Sequence, residues 1–560
     1  MDLHPSPWQS PLDAQTVRRT YAEVGLSYLP RVLTLLDTDP FSPTYGCFDR
    51  SFWHYKTMDF PSGMYQEAVL ALAIAYAERL DEGIVNPYYQ QSRLRELVLA
   101  GIRYAARSSH KDGSCDDYYP GERALGAVVY ALHACTEAYL LLQAQDPEPQ
   151  PDLEQFFKLR GIWLLECDET GQLSNHQALA ASALYNVYRI TGEERFAKGA
   201  SERIDRALDW QSPEGWFQEY EGCDPGYLTA TINFLAQYQR HTQDVRLQAP
   251  LQRAVRFARY FLHPDGSFGG EYGSRNTGNF YPLGLELLGE AIPEAVEIAD
   301  GYVRAMKAGT RMYWEDDRIY CHFVNSCLQA ALQVCPVRSQ PQPPQQQRLY
   351  FPLAQMWVFQ EGELYGVAGL AKGGVCKLFQ GHELALSDTG LTGKLSDGRV
   401  FVCNLIDPAA KVDVSSDQRQ VTVQGRAQVK SFKYATPLKQ ILFRLGLLVL
   451  ARSHAGSQRV RKLLQKILIT RKDPLPIRYE RTFHLREEGL YLRDHLTLEG
   501  EVTVTDLAVG SDQTSIYVAT SNCYQQARLQ GWLNLNACVP TLNRDRQLML
   551  ERRIPSDPED

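Results

Sequence analysis

SPEGWFQEYEGCDPGYLTATINFLAQY, residues 212–238, opens as a polar turn around Gly215 and closes as a helix. The glycine among Ser, Pro and Glu breaks regular structure, and Leu228, Ile232 and Leu235 then return at helical spacing. Loops of the same kind recur along the chain. DFPSG ends at Gly63, HKDGS surrounds Gly113, DETGQLSNH contains Gly171 and HPDGSFGGEYGSRNT contains Gly266. These glycines, with Gly215, lie 50, 58, 44 and 51 residues apart, and WEDDRIYCH around Asp317 follows one period later. Between the loops, apolar residues recur three and four apart over 65–80, 94–106, 124–142, 178–190 and 251–262. Two helices of about 12 to 20 residues, a short turn and a longer loop fill such a period, so each one reads as a helical hairpin. About six hairpins predict an α/α toroid or a curved helical array over residues 1–335, its long loops gathered on one face as a cleft.

The pattern changes after PVRSQPQPPQQQR, residues 336–348, whose Pro/Gln bias predicts a linker over 336–350. QMWVFQ, LYGVAGLA, RVFVCNLI, RQVTVQG, RYERTFHL, LYLRDHLTL and VTVTDLAV then read as strands bounded by Gly, Asp and Asn. Residues 351–560 are therefore expected to form an antiparallel β-sandwich, which makes the fold multidomain, α then β. One segment interrupts the strands. From Lys430 to Arg478 there are twelve Lys/Arg against one acidic residue, Asp473, in a chain of net charge −8. Its halves, LKQILFRLGLLVLARS and QRVRKLLQKILIT, predict two basic amphipathic helices inserted at 430–478. Ile441, Leu442, Leu445, Leu448 and Val449 would form an apolar face beside Lys439, Arg444 and Arg452, with Arg459, Arg461, Lys462 and Lys466 in the second half. This pattern suits peripheral contact with an anionic membrane.

Hydrophobic residues make up 44% and charged residues 22% of the 560, which excludes wholesale disorder. The acidic balance excludes nucleic-acid binding along the whole chain. Twelve scattered cysteines form no CxxC pair, and MDLHPSPWQS lacks the apolar core of an export signal. Buried thiols and a cytoplasmic location, extending to the inner membrane face through 430–478, are expected. No ligand spacing calls for a metal, and no motif calls for a cofactor.

The loops carry the chemistry. LSNHQALAASAL opens a helix with Asn175 and His176, an amide able to face a carboxylate and an imidazole able to move a proton. A helix cap and a buried histidine explain the same two residues. One repeat later come Glu219 and Tyr227, and the next loop holds Glu271, Tyr272, Arg275 and Asn276. Arg275 suits a sugar carboxylate, and Glu219, Glu271, Tyr272 and Asn276 suit hydroxyl groups. In CFDRSFWHYKTMDFPSGMYQE, Trp53, His54 and Lys56 suit a sugar ring and its acid group, although a segment closing the first repeat on the last would look alike.

The Asn-His pair at Asn175 and His176, followed one repeat on by Glu219 and by Tyr227 at a helix start, resembles the heparinase II/III-like superfamily of polysaccharide lyases. That resemblance covers the order of helical and β parts. It implies that Asn175 neutralises a uronate carboxylate and that Tyr227 acts as a Brønsted acid or base, with His176 the other candidate base. The sequence departs from that superfamily where Leu228 follows the tyrosine and where HELALSD, residues 382–388, is only a faint version of its sandwich-domain histidine motif. The expected function is cleavage of an acidic oligo- or polysaccharide by β-elimination. The alternatives are a glycoside hydrolase on the same toroid and a non-catalytic glycan-binding protein of surface-polysaccharide assembly.

Overall fold

The computed structural model describes residues 12–554 except 81–82, 170, 314, 339–345, 431–433, 452–453, 469–472, 512–519, 522–523 and 526–528. Arg452, the Pro/Gln-rich core of the expected linker and Cys523 thus lie outside the described residues. The helices of the first part are α1 (Ala14–Ser27), α2 (Leu29–Leu35), α3 (Arg50–Trp53), α4 (Val69–Ala77), α5 (Ser92–Arg107), α6 (Leu125–Gln145) and α7 (Pro151–Glu166). They continue with α8 (Ser174–Thr191), α9 (Glu194–Asp209), α10 (Pro225–Thr242), α11 (Gln248–Ala258), α12 (Pro282–Leu288), α13 (Pro293–Ala308) and α14 (Tyr320–Leu332).

Two kinds of helix alternate. Helices α4, α6, α8, α10, α12 and α14 are buried on nearly every side, whereas α5, α9 and α11 bury one stripe and expose the other. The fully buried helices pack in succession, α4 on α6, α6 on α8, α8 on α10, α10 on α12 and α12 on α14, and α14 returns to α4. The striped helices lie outside them, α5 on α4, α7 on α6, α9 on α8, α11 on α10, α13 on α12 and α1 on α14. α6 is long and apolar enough to cross a bilayer, but 83% of its most apolar stretch is buried inside the protein.

Among the described residues the second part holds two antiparallel sheets, and its Tyr524–Gln525 pairs with Met312–Tyr313 of the first part. One runs Gln347–Phe351, Met356–Glu361, Leu364–Gly369, Val375–Gln380 and Glu383–Asp388 in chain order. In the strand Met356–Glu361 the alternate residues Met356 and Val358 join the helical core, while Trp357 and Phe359 join the core between the sheets. Burial on both faces explains why this strand is continuously apolar rather than alternating. The second sheet is built around Gln420–Lys430, Pro474–Arg486 and Gly489–Leu498, paired in that order. At its centre Arg481 lies between Asp388 (2.7 Å) and Asp494 (2.6 Å), with Arg552 closing the group.

Two boundaries are corrected. The 336–350 segment is not a free linker throughout, because Arg338 is buried against Glu286 (2.6 Å) and Asp300, and Gln347 already begins an edge strand. The insertion is narrower than 430–478. Lys430 ends one strand and Pro474 begins the next, so the helices α15 (Pro437–Leu450) and α16 (His454–Leu468) lie between them.

Candidate functional site

The site grows from the N-terminus of α8. Leu173 bridges to Glu219, which brings the loop before α10 against the first turn of α8. Asn175 lies fully buried there, its backbone N–H donating to Glu219 Oε1 (3.0 Å) and its Nδ2 to Oε1 and Oε2 (2.8 Å each). Arg275 reaches the same carboxylate, Nη1 to Oε2 at 3.4 Å. Its guanidinium carbon stands 4.0 Å from the Tyr227 ring centre and 4.7 Å from that of Tyr220, a double cation–π contact in a desolvated place.

Asp224 sets the geometry of this group. Its carboxylate caps α10 by accepting from Tyr227 N (3.0 Å), and it also accepts from Arg275 N (2.8 Å) and Thr277 Oγ1 (2.5 Å). One side chain thereby fixes both the tyrosine and the arginine. Gly226 is required beside it, since a Cβ there would stand 2.6 Å from the Thr277 carbonyl oxygen. The β part completes the site. Thr520 Oγ1 donates to the Tyr227 hydroxyl (3.3 Å), Ser521 donates to the Arg275 carbonyl (2.9 Å), and Lys372 bonds the Gly273 carbonyl (3.0 Å) and the Asn276 side chain.

On the other side of Asn175, His176 Nδ1 meets Glu169 Oε2 (2.8 Å), and Glu169 Oε1 pairs with Arg461 of α16 (2.9 Å). Tyr130 stands edge-on to His176 and stacks on His322 at 3.9 Å, and His322 is bonded to the buried Glu67 (2.6 Å). Glu67, Tyr130, His322 and Tyr281 also line a cavity of about 20 Å³ at the centre of the inner helices, room for one water.

Burial raises the Glu219 carboxyl to about 7, against the lowering effect of Arg275 and the Asn175 donors. Burial also works against the Arg275 charge, yet Tyr227, Tyr220, Glu219 and Asp224 together raise its pKa above the ordinary arginine value. Glu122 is likewise pushed up to about 7, by burial and then by Asp117. Lys372 is brought down to about 8 by burial. Among the described residues no three His, Cys, Asp or Glu side chains gather as metal ligands would.

The structure therefore gathers Asn175, His176, Glu219, Tyr227 and Arg275. Several residues expected to contact substrate have partners within the protein. Tyr272 is buried in the core with its hydroxyl 2.9 Å from His263 Nε2, so its polar end faces the protein. Asn276 adopts φ 57° and holds Lys372, and Glu271 pairs with Lys377 (3.1 Å); both fix the helical loop to the sheet. Trp53 donates to the Leu35 carbonyl (2.8 Å), His54 packs edge-on against Trp53 and Tyr55, and Lys56 is exposed at a left-handed turn. In HELALSD, His382 bonds the Pro264 carbonyl and Asp388 serves the Arg481 group, so the strand carries no histidine site. Sequence reading missed Asp224 as a positioning group, and it missed Glu169, Arg461 and Thr520. Only Asp224 left a signal, its place as the N-cap before Pro225.

No protein-family profile matches the chain, and no curated protein matches it by sequence. Solved structures do match. Chondroitin AC lyase from Streptomyces coelicolor A3, in complex with chondroitin sulphate, superposes with a TM-score of 0.52 at 9% identity, over 88% of this chain and 68% of that one. A substituted form of the same lyase gives 0.50 at 9% identity with the same coverage. Heparinase III gives 0.47 at 10% identity over 91% of this chain and 74% of its own. The fold is similar to that of chondroitin AC lyase. At this identity the likeness concerns the fold.

Proposed function

We propose that the protein is a carbohydrate-active enzyme, an α/α toroid of six hairpins joined to a β-sandwich, that cleaves an acidic polysaccharide by β-elimination. The observation that carries this reading is Tyr227, held by the Asp224 cap with its ring 4.0 Å from the Arg275 guanidinium, beside Asn175, Glu219 and His176. Arg275 draws charge from the uronate carboxylate and so acidifies the adjacent C–H. Tyr227 or His176 takes that proton, the C=C bond forms as the glycosidic C–O bond breaks, and a tyrosine hydroxyl returns a proton to the departing oxygen.

Asn175 enters differently from the role the resemblance implies. Its amide hydrogens already face Glu219, so it holds that carboxyl while Arg275 takes the substrate charge. With its carboxyl raised to about 7, Glu219 carries a proton on the acid side of neutrality and leaves Arg275 free to meet a uronate. A second reading, glycoside hydrolysis, is favoured by a different observation. Glu219 and Glu122 are both buried carboxyls raised to about 7, as a proton donor requires.

The test is product analysis after incubation with chondroitin sulphate and other uronate-containing glycans. Elimination yields the ultraviolet absorbance of an unsaturated uronate. New reducing ends without that absorbance establish hydrolysis, and binding without turnover establishes a glycan-binding protein. For elimination, Tyr227→Phe should lower turnover roughly 100- to 10,000-fold with glycan binding retained. Full activity in that variant excludes Tyr227 as the proton carrier.

A further inference from the structure

The inserted helix α15 has an apolar inner face and an apolar outer face. Inside, Phe443 packs edge-on against Tyr119, and Leu447 joins Tyr119 and Val460 in a small buried cluster. Outside, Leu438, Ile441, Leu442, Leu445, Leu448 and Val449 are between 55% and 69% exposed. They fall at positions three and four apart, so they form one continuous stripe along the helix. Leu463 of α16, 58% exposed, extends the apolar surface. A contiguous stripe of this kind marks an interaction surface rather than scattered surface residues.

Charge identifies the occupant. The segment 430–478 carries twelve Lys/Arg and one acidic residue, while the rest of the chain is acidic. Around the stripe stand Lys439, Arg459 and Lys462, all exposed, and Arg444, whose 3.0 Å partner Asp59 is itself exposed. A second copy would bring like charge against like charge. A hydrated acidic glycan offers nothing for six aliphatic side chains to bury against. An anionic bilayer satisfies both features, acyl chains for the leucines and headgroup phosphates for the bases.

We propose that α15 and α16 form a docking surface for an anionic lipid membrane. The insertion's other side reaches the candidate site. Arg461 of α16 pairs with Glu169, the partner of His176, and Ser457 donates to the Gly121 carbonyl (2.6 Å). Docking by the outer stripe therefore sets the site at a fixed, short distance from the lipid surface.

Vesicle flotation of the full chain tests this. Phosphatidylcholine vesicles are compared with vesicles that also contain phosphatidylglycerol, at low and high salt. The expected result is flotation with the anionic vesicles alone, released by salt. The triple variant Leu442→Ser, Leu445→Ser, Leu448→Ser changes only exposed side chains and should reduce the bound fraction about tenfold or more. Each of Arg459→Glu and Lys462→Glu should weaken binding by roughly fivefold or more. Equal flotation on both vesicle types, absence of flotation, or full binding by the triple variant overturns the proposal. So does a concentration-dependent dimer that the triple variant abolishes in a protein that does not float. Flotation without glycan cleavage leaves this inference standing and removes the lyase reading, so the two fail separately.

Discussion

Replacing Glu219 with Gln should abolish one pH-dependent component of stability, and its size follows from the structure. The carboxyl is fully buried and raised from an ordinary 4.5 to about 7, with burial as the main cause. Between those two values the native state holds a proton that the unfolded state has released. The native state thus binds more protons there, and stability must fall as pH rises. The contribution is fully present below the unfolded value, lost through the folded value and flat above it. A shift of this size corresponds to about 3 kcal/mol. Urea unfolding followed by tryptophan fluorescence, at pH values from about 4.5 to 8, measures it as the difference between wild type and Glu219→Gln. Taking the difference cancels Glu122, which titrates over the same window. The variant should gain on wild type by about 3 kcal/mol from the acid to the alkaline end of that range. A difference independent of pH would mean that Arg275 and the Asn175 donors keep Glu219 ionised throughout, and the proposed release of Arg275 for substrate would fall with it.

Two further outcomes are expected. Asp224→Ala removes the α10 cap and the acceptor of Arg275 N and Thr277 Oγ1, and should cost on the order of 2–4 kcal/mol with loss of activity. Asp224→Asn keeps one acceptor oxygen for the α10 cap but turns an NH2 group towards Arg275 N, so it should recover only the capping part of the loss; equal loss in both variants would contradict the capping role. Arg481→Met leaves Asp388 and Asp494 buried with Arg552 alone and should destabilise by about 3–5 kcal/mol. Burial opposes ionisation of Asp388, but Arg481 and Arg552 hold its carboxyl well below the usual range. Its contribution is therefore present above the unfolded value and lost in acid, and denaturation midpoints should show a flatter acid slope in the variant.

The glycine-centred loops at a period near 50 made the helical hairpins legible, because a helix leaves its spacing in the sequence and a turn leaves its glycine. Asn175, Glu219, Tyr227 and Arg275 lie together for the same reason: they occupy loops of successive hairpins, which the packing of the inner helices brings side by side. Tyr272 shows where this logic stops. Its loop is as polar as its neighbours, and nothing local records that the ring turns inward onto Phe261 and His263. Arg461 shows another limit. The pattern of α16 reveals a basic helix, but its pairing with Glu169 depends on how the insertion folds back across the helical part. The apolar run 356–359 did hold a readable clue, since a strand with no polar face must be covered twice.

The insertion leaves the sheet where two neighbouring strands are still paired. Gln428 stands opposite Pro474, and Val429 N donates to the Asp473 carbonyl (2.9 Å). Entry and exit are thus one strand spacing apart, the geometry of an ordinary hairpin. A chain turning directly from one strand into the next would keep the ladder, the Arg481 group and the ring of inner helices, and would lose the exposed leucine surface together with the contacts of Phe443, Leu447, Ser457, Arg444 and Arg461 on the helical part. The leucine surface can therefore be removed without repacking either core, while the pairing of Arg461 with Glu169 makes the insertion a brace for His176 as well.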